Sequence, residues 1–201
     1  MQPSDEALIV VDVQNDFCPG GALAVAGGNV ITSRINTLMD YHAVTVLTQD
    51  WHPANHQSFA ANHKAEPYSM VQMPYGPQIL WPTHCVQGTE GAAFHPKLRM
   101  EPVNMIIRKG FRPEIDSYSA FFENDRSTST GLEGYLRSRG MTAVTLVGLA
   151  TDFCVCYSAI DAARLGFTVT VREGACRAID LNGSLAAARE QMRAAGVALE
   201  A

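Results

Sequence analysis

Five short apolar runs rich in β-branched residues, at 7–11, 43–47, 103–107, 143–147 and 167–171, alternate with stretches of helical spacing. Each run is short enough to be a buried strand, and the stretches between them carry apolar residues three and four apart, as at Ile31, Ile35, Leu38 and Met39. Residues 129–139, 151–165 and 184–195 read as further helices, the last two Ala-rich and preceded by the capping-type residues Thr151, Asn182 and Ser184. Strand followed by helix, repeated, requires crossover connections. It therefore predicts an α/β fold of three layers, αβα, around a mainly parallel sheet of roughly six strands, the sixth near 197–199.

With 201 residues the chain is expected to form one domain spanning 1–201. A hydrophobic fraction of 47% with 17% charged residues excludes disordered and coiled-coil classes. The net charge of -5 and the absence of a basic cluster give no footprint for nucleic acid or an anionic membrane. No apolar run approaches the roughly 20 residues that span a bilayer, and the first residues lack the basic leader of a signal peptide. A cytoplasmic protein with a small-molecule partner is expected. The cysteines, at 18, 85, 154, 156 and 176, are odd in number and read as free thiols. Cys154 and Cys156 would point about 200° apart on a helix, which argues against a redox disulfide.

The segment 50–102 interrupts the rhythm: it shows no clear period and holds His52, His56, His63, His84 and His95, five of the six histidines. A long aperiodic excursion is usually functional. The sixth, His42, falls at a helix end and is expected to be solvated. The Gly-containing loop 19–28 lacks the strand-to-helix G-x-G-x-x-G context of a dinucleotide site.

In a parallel sheet, groups just beyond the strand C-termini gather along one edge, where ligands bind. Asp12, Asp50 with His52, Lys109 and Cys154 each follow one of the apolar runs. Cys154 would occupy the first turn of the helix beginning near Thr151, where backbone N–H groups favour thiolate. A thiol must lose its proton to attack, a carboxylate can accept it, and a lysine can orient that carboxylate. Asp50-x-His52 followed by His56 suits zinc, manganese or iron(II), with His84 the best further donor.

The motifs 11–17 (VDVQNDF), 49–56 (QDWHPANH), 80–86 (LWPTHCV), 108–110 (RKG), 116–121 (DSYSAF) and 148–155 (GLATDFCV) resemble, in order and over nearly the whole chain, the nicotinamidase/pyrazinamidase family of isochorismatase-like cysteine hydrolases. The resemblance implies a catalytic triad of Asp12, Lys109 and Cys154. It also implies one divalent ion, zinc first with manganese or iron as alternatives, on Asp50, His52, His56 and His84. A non-prolyl cis peptide between Leu149 and Ala150 follows too, with the backbone N–H groups of Ala150 and Cys154 as oxyanion donors. Phe17, Leu23, Trp81, Tyr118, Ala150 and Phe153 would surround the substrate ring. The implied reaction takes nicotinamide to nicotinic acid and ammonia, and pyrazinamide to pyrazinoic acid, through a thioester, as in NAD salvage. A homo-oligomer is compatible with this family. The competing readings are a metal-free amidase for a carbamoyl or ureido compound and a metal-binding protein on a silent scaffold.

Overall fold

The computed structural model describes residues 5–201. In chain order it contains β1 (Glu6–Val11), α1 (Thr32–Met39), β2 (Val44–Asp50), α2 (Ala60–His63), β3 (Met70–Met73), β4 (Gly76–Ile79) and β5 (Met105–Lys109). These are followed by α3 (Leu132–Ser138), β6 (Ala143–Leu149), α4 (Cys156–Arg164), β7 (Thr168–Arg177), α5 (Ser184–Ala194) and β8 (Ala198–Glu200). Six strands form one sheet in the order β5-β2-β1-β6-β7-β8, and every pairing within it is parallel. The five apolar runs are all strands of this sheet, and β8 is the expected sixth.

Alternation along β1 shows why the sheet needs two cover layers. Ala7, Ile9 and Val11 pack into the cluster beneath α3, α4 and α5, while Leu8 and Val10 pack into the opposite cluster with Ile31 and with Ile35 and Met39 of α1. Leu8 and Ile9 are fully buried, each contributing about 1.5–3 kcal/mol relative to exposure. The second cover layer is completed by the excursion, since Trp81, Cys85, Ala92 and Leu98 join α1 over that face. The excursion is less irregular than its sequence suggests. It contains the single-turn helix α2 and an antiparallel hairpin, β3–β4, turning at Pro74 and Tyr75. Neither is long enough to show a period.

The chain winds outward from β1 to β2 and β5, then returns to β6 on the other side of β1. The switch point of the sheet therefore lies between β1 and β6, where their connections diverge and leave a crevice beyond the strand ends. Gly148 permits the close β1–β6 approach there: its φ is 117°, and a Cβ would stand 2.2 Å from the Val11 carbonyl oxygen. Among the described residues no helix is long and apolar enough to cross a membrane.

Candidate active site

Four adjacent strands deliver four polar side chains to this crevice: Lys109 from β5, Asp50 from β2, Asp12 just past β1, and Cys154 just past β6. Asp50 and Lys109 are register partners on neighbouring strands, which sets their side chains side by side. Asp12 leaves β1 with φ 48°, a left-handed conformation that aspartate tolerates better than most residues.

The Lys109 ammonium is 1% exposed and fully enclosed by acceptors. It lies 2.8 Å from Asp12 Oδ2, donates to the Ser117 carbonyl at 2.9 Å, pairs with Asp50 Oδ1, and reaches the Cys154 sulfur at 3.5 Å. Burial alone would lower its pKa, but Asp12 and Asp50 outweigh that and hold it charged well above the usual lysine range. A carboxylate oxygen of Asp12 lies within 4.8 Å of the Cys154 sulfur. Burial pushes the Asp12 carboxyl up to about 6 against the pull of Lys109. Burial also drives the Cys154 thiol well above the usual thiol range, with Lys109 only partly offsetting it. At neutral pH the shared proton therefore sits on sulfur and the carboxylate is free to take it.

That distribution corrects the expectation of a thiolate favoured by a helix terminus. The first turn, Thr151–Val155, is a π-helix that passes into α4 at Cys156, and Cys154 within it is buried against carboxylates. Desolvation, with Asp12 and Asp50 beside the sulfur, outweighs the pull of Lys109. The Leu149–Ala150 peptide is cis. All five cysteines are free and buried, and Cys156 turns its sulfur away toward the Ala188 carbonyl.

Asp50 also faces the histidines. His52 Nε2 lies 3.5 Å and His84 Nε2 3.9 Å from Asp50 Oδ2. His52 Nδ1 donates to the Gly110 carbonyl and His84 Nδ1 to the Pro82 carbonyl, each at 2.7 Å. A carbonyl only accepts, so both rings carry a proton on Nδ1 and turn Nε2 to the common point, the orientation used by metal-binding imidazoles. Burial, with help from His52, pushes His84 down to about 4, which keeps it neutral. Burial would lower His52 as well, but Asp50 outweighs it and raises that ring. Asp50 itself is held well below the carboxylate range because Lys109 and His52 outweigh its burial.

His56 is placed differently. Its ring centre lies 4.3 Å from that of His52, with the planes tilted 45°, yet its Nδ1 accepts from the Ser58 N–H and its Nε2 donates to the Ile115 carbonyl at 3.2 Å. It clusters with His52 and Asp116 rather than with Asp50 and His84. Asp116 is the buried acidic residue that sequence reasoning left without a role; it accepts from Gln78 Nε2 and the Ser117 N–H. The signal available was its position at the head of the 116–121 motif. His63 bonds the Gln57 carbonyl and His95 caps Lys97 N–H, so both are structural. His42 is not solvated as expected: its ring bonds the Leu38 carbonyl and lies 3.9 Å from Glu6.

Between the triad and the histidines lies a narrow cleft lined by Phe17, Leu23, Trp81, Tyr118, Ala150 and Phe153, with Ile179 and Asp116 as further walls. Asp50, His84 and Cys154 reach into the same cleft. Trp81 and Phe153 meet edge to face at 5.0 Å, and Trp81 Nε1 donates to the Tyr118 hydroxyl at 3.0 Å. The result is an aromatic-walled cleft with the Cys154 thiol and the His84 imidazole on its walls.

The isochorismatase domain model matches residues 6–200. A nicotinamidase of Acinetobacter baylyi is 57% identical over 197 residues, covering 98% of this chain and 92% of that protein. A solved nicotinamidase/pyrazinamidase of Acinetobacter baumanii superposes with a TM-score of 0.98 at 54% identity, covering 100% of this chain and 97% of that one. A pyrazinamidase of Pyrococcus horikoshii, solved in complex with zinc, superposes with a TM-score of 0.79 at 36% identity over 97% of this chain and 98% of that one. With its parallel sheet, crevice and full-length likeness to these enzymes, the chain belongs to the isochorismatase family and, within it, to the nicotinamidases.

Proposed function

We propose that the chain is a metal-dependent cysteine amidohydrolase that converts nicotinamide to nicotinic acid and ammonia, and pyrazinamide to pyrazinoic acid. The observation that carries this reading is the contact of Asp12, Lys109 and Cys154 beside a cleft walled by aromatic side chains. The full-length relatives that act on these amides support it.

The flat ring is held among Phe17, Trp81, Tyr118 and Phe153, with Leu23 and Ala150 closing the cleft. Asp12 accepts the Cys154 proton and the sulfur attacks the carboxamide carbon, forming a C–S bond. The oxygen gains negative charge, stabilised by the backbone N–H groups of Ala150 and Cys154. Asp12 returns its proton to the amide nitrogen, the C–N bond breaks, and ammonia leaves a thioester on Cys154. Asp12, again ionised, then takes a proton from water. The hydroxide adds to the thioester, and the departing sulfur recovers the proton as the acid is released. Lys109 stays charged throughout, holding Asp12 and stabilising anionic sulfur.

Asp50, His52 and His84 would hold one divalent ion, zinc first with manganese or iron(II) as alternatives. The donors fit, because two imidazoles, each anchored through Nδ1 to a backbone carbonyl, and an ionised carboxylate converge on one point. His56 would become a fourth donor by giving up its bond to Ile115. The ion when bound supplies a Lewis acid toward the ring nitrogen, which orients the carboxamide to Cys154. Residues 1–201 act as one catalytic unit in this reading, with 50–102 as its metal-holding arm. The deciding measurement is ammonia release from nicotinamide and pyrazinamide by the zinc-, manganese- or iron-loaded protein; no release with any of them would overturn the reading.

A further inference from the structure

The β1–β2 ladder runs from Ala7↔Val44 to Val10↔Leu47 and then stops, because Asp12 turns into the left-handed region. Beyond that point side chains take over the cross-strand bonding. Gln14 uses its amide to accept from the Asp50 N–H and donate to the Asp50 carbonyl, each at 2.8 Å. Thr48 does the same for Asp12: its hydroxyl accepts from the Asp12 N–H at 3.1 Å and donates to Asp12 Oδ1 at 2.6 Å.

A hydroxyl has one proton, and that of Thr48 is committed to Oδ1. The other oxygen, Oδ2, faces the Lys109 ammonium at 2.8 Å. The two donors thus hold different oxygens and fix the carboxylate plane. Thr48 and Asp12 are both 0% exposed, so water cannot replace a lost donor at Oδ1. β-Branching leaves the Thr48 side chain few rotamers, which keeps its hydroxyl in place.

We propose that Thr48 is the positioning residue of the catalytic base: it saturates Oδ1 so that Oδ2 alone is presented to the Cys154 proton. Without the hydroxyl, Oδ1 competes for Lys109, the carboxylate rotates about its terminal torsion, and the oxygen facing sulfur is no longer defined. Substrate contacts are untouched, because Thr48 does not line the cleft.

The assignment rests on the amidohydrolase reading, and the test separates the two. Ammonia release from nicotinamide by the metal-loaded protein is compared for wild type, Thr48→Val, Thr48→Ala and Thr48→Ser, with bound metal and circular dichroism measured on each. The hydroxyl-free variants are expected to lose kcat by about 10-fold or more, as misplaced general bases do, with KM within about 2-fold and metal content unchanged. Thr48→Ser is expected to recover most of that loss. An active wild type with a folded hydroxyl-free variant of unchanged kcat overturns the Thr48 role alone. Thr48→Ser as defective as Thr48→Val, loss of metal in the hydroxyl-free variants, or loss of the fold in both of them overturns it too. Absence of ammonia release from wild type overturns the amidohydrolase reading and the assignment with it.

Discussion

Lys109 and Asp50, register partners on β5 and β2, form a buried ion pair that joins the two halves of the site. The same ammonium reaches Asp12 and Cys154, while the same carboxylate faces His52 and His84. Cys154 and the imidazoles are thus coupled through one cation and one anion, both buried.

Replacing Lys109 by Met should therefore damage more than catalysis. Two buried carboxylates lose their only shared cation, and removing one partner of a buried ion pair costs about 3–5 kcal/mol. Denaturant unfolding of the metal-loaded variant measures that loss; unchanged stability would show that the carboxylates do not depend on the ammonium.

Cys154→Ala should abolish ammonia release, by more than about 10³-fold as for other covalent nucleophiles, while retaining bound metal. The sulfur makes no part of the histidine cluster around Asp50. Residual activity near wild type would remove Cys154 from the chemistry and favour the silent metal-binding scaffold.

The acid limb of the kcat/KM profile reports the base. Asp12 is raised to about 6 by burial and works only when ionised, so activity should be full above that value. It should drop about tenfold per pH unit below it. The thiol contributes no limb in the neutral range, since burial lifts it well above. An acid limb near the ordinary aspartate value, or a profile that falls as pH rises through neutrality, would contradict this assignment of the proton.

Gly110 stands behind the His52 ring. Its φ is 62°, and a Cβ there would lie 2.4 Å from His52 Cε1; its carbonyl also accepts from His52 Nδ1. Gly110→Ala should push the ring away and weaken metal binding about 10- to 100-fold, the usual effect of losing an outer partner of a ligating histidine. Titration of the variant with zinc, followed calorimetrically, checks it; an unchanged affinity would mean that His52 is not a ligand.

Chelation should remove activity, and add-back of zinc, manganese and iron should restore it in an order that identifies the working ion. Activity that survives complete metal removal would return the chain to the metal-free amidase reading.

Much of this site was legible in the sequence because strand ends are. Once 7–11, 43–47, 103–107 and 143–147 read as parallel strands, Asp12, Asp50, Lys109 and Cys154 had to meet at one edge, whatever their neighbours. The hairpin β3–β4 and the helix α2 were not legible, because four residues are too few to show a period. Asp116 escaped notice because it follows no strand and enters the site from a loop.

By itself, the sequence determined the layers, the parallel edge and the residue types gathered there, since periodicity and strand direction are local properties that propagate to the whole sheet. Only the tertiary structure decided where the proton rests between Asp12 and Cys154, which of the histidines converge on Asp50 and which bonds Ile115 instead, and that Thr48 holds the base. Those outcomes depend on desolvation and on hydrogen-bond distances between residues 36 or more positions apart, such as Asp12 with Thr48 and His56 with Ile115. A pattern along the chain carries no record of either.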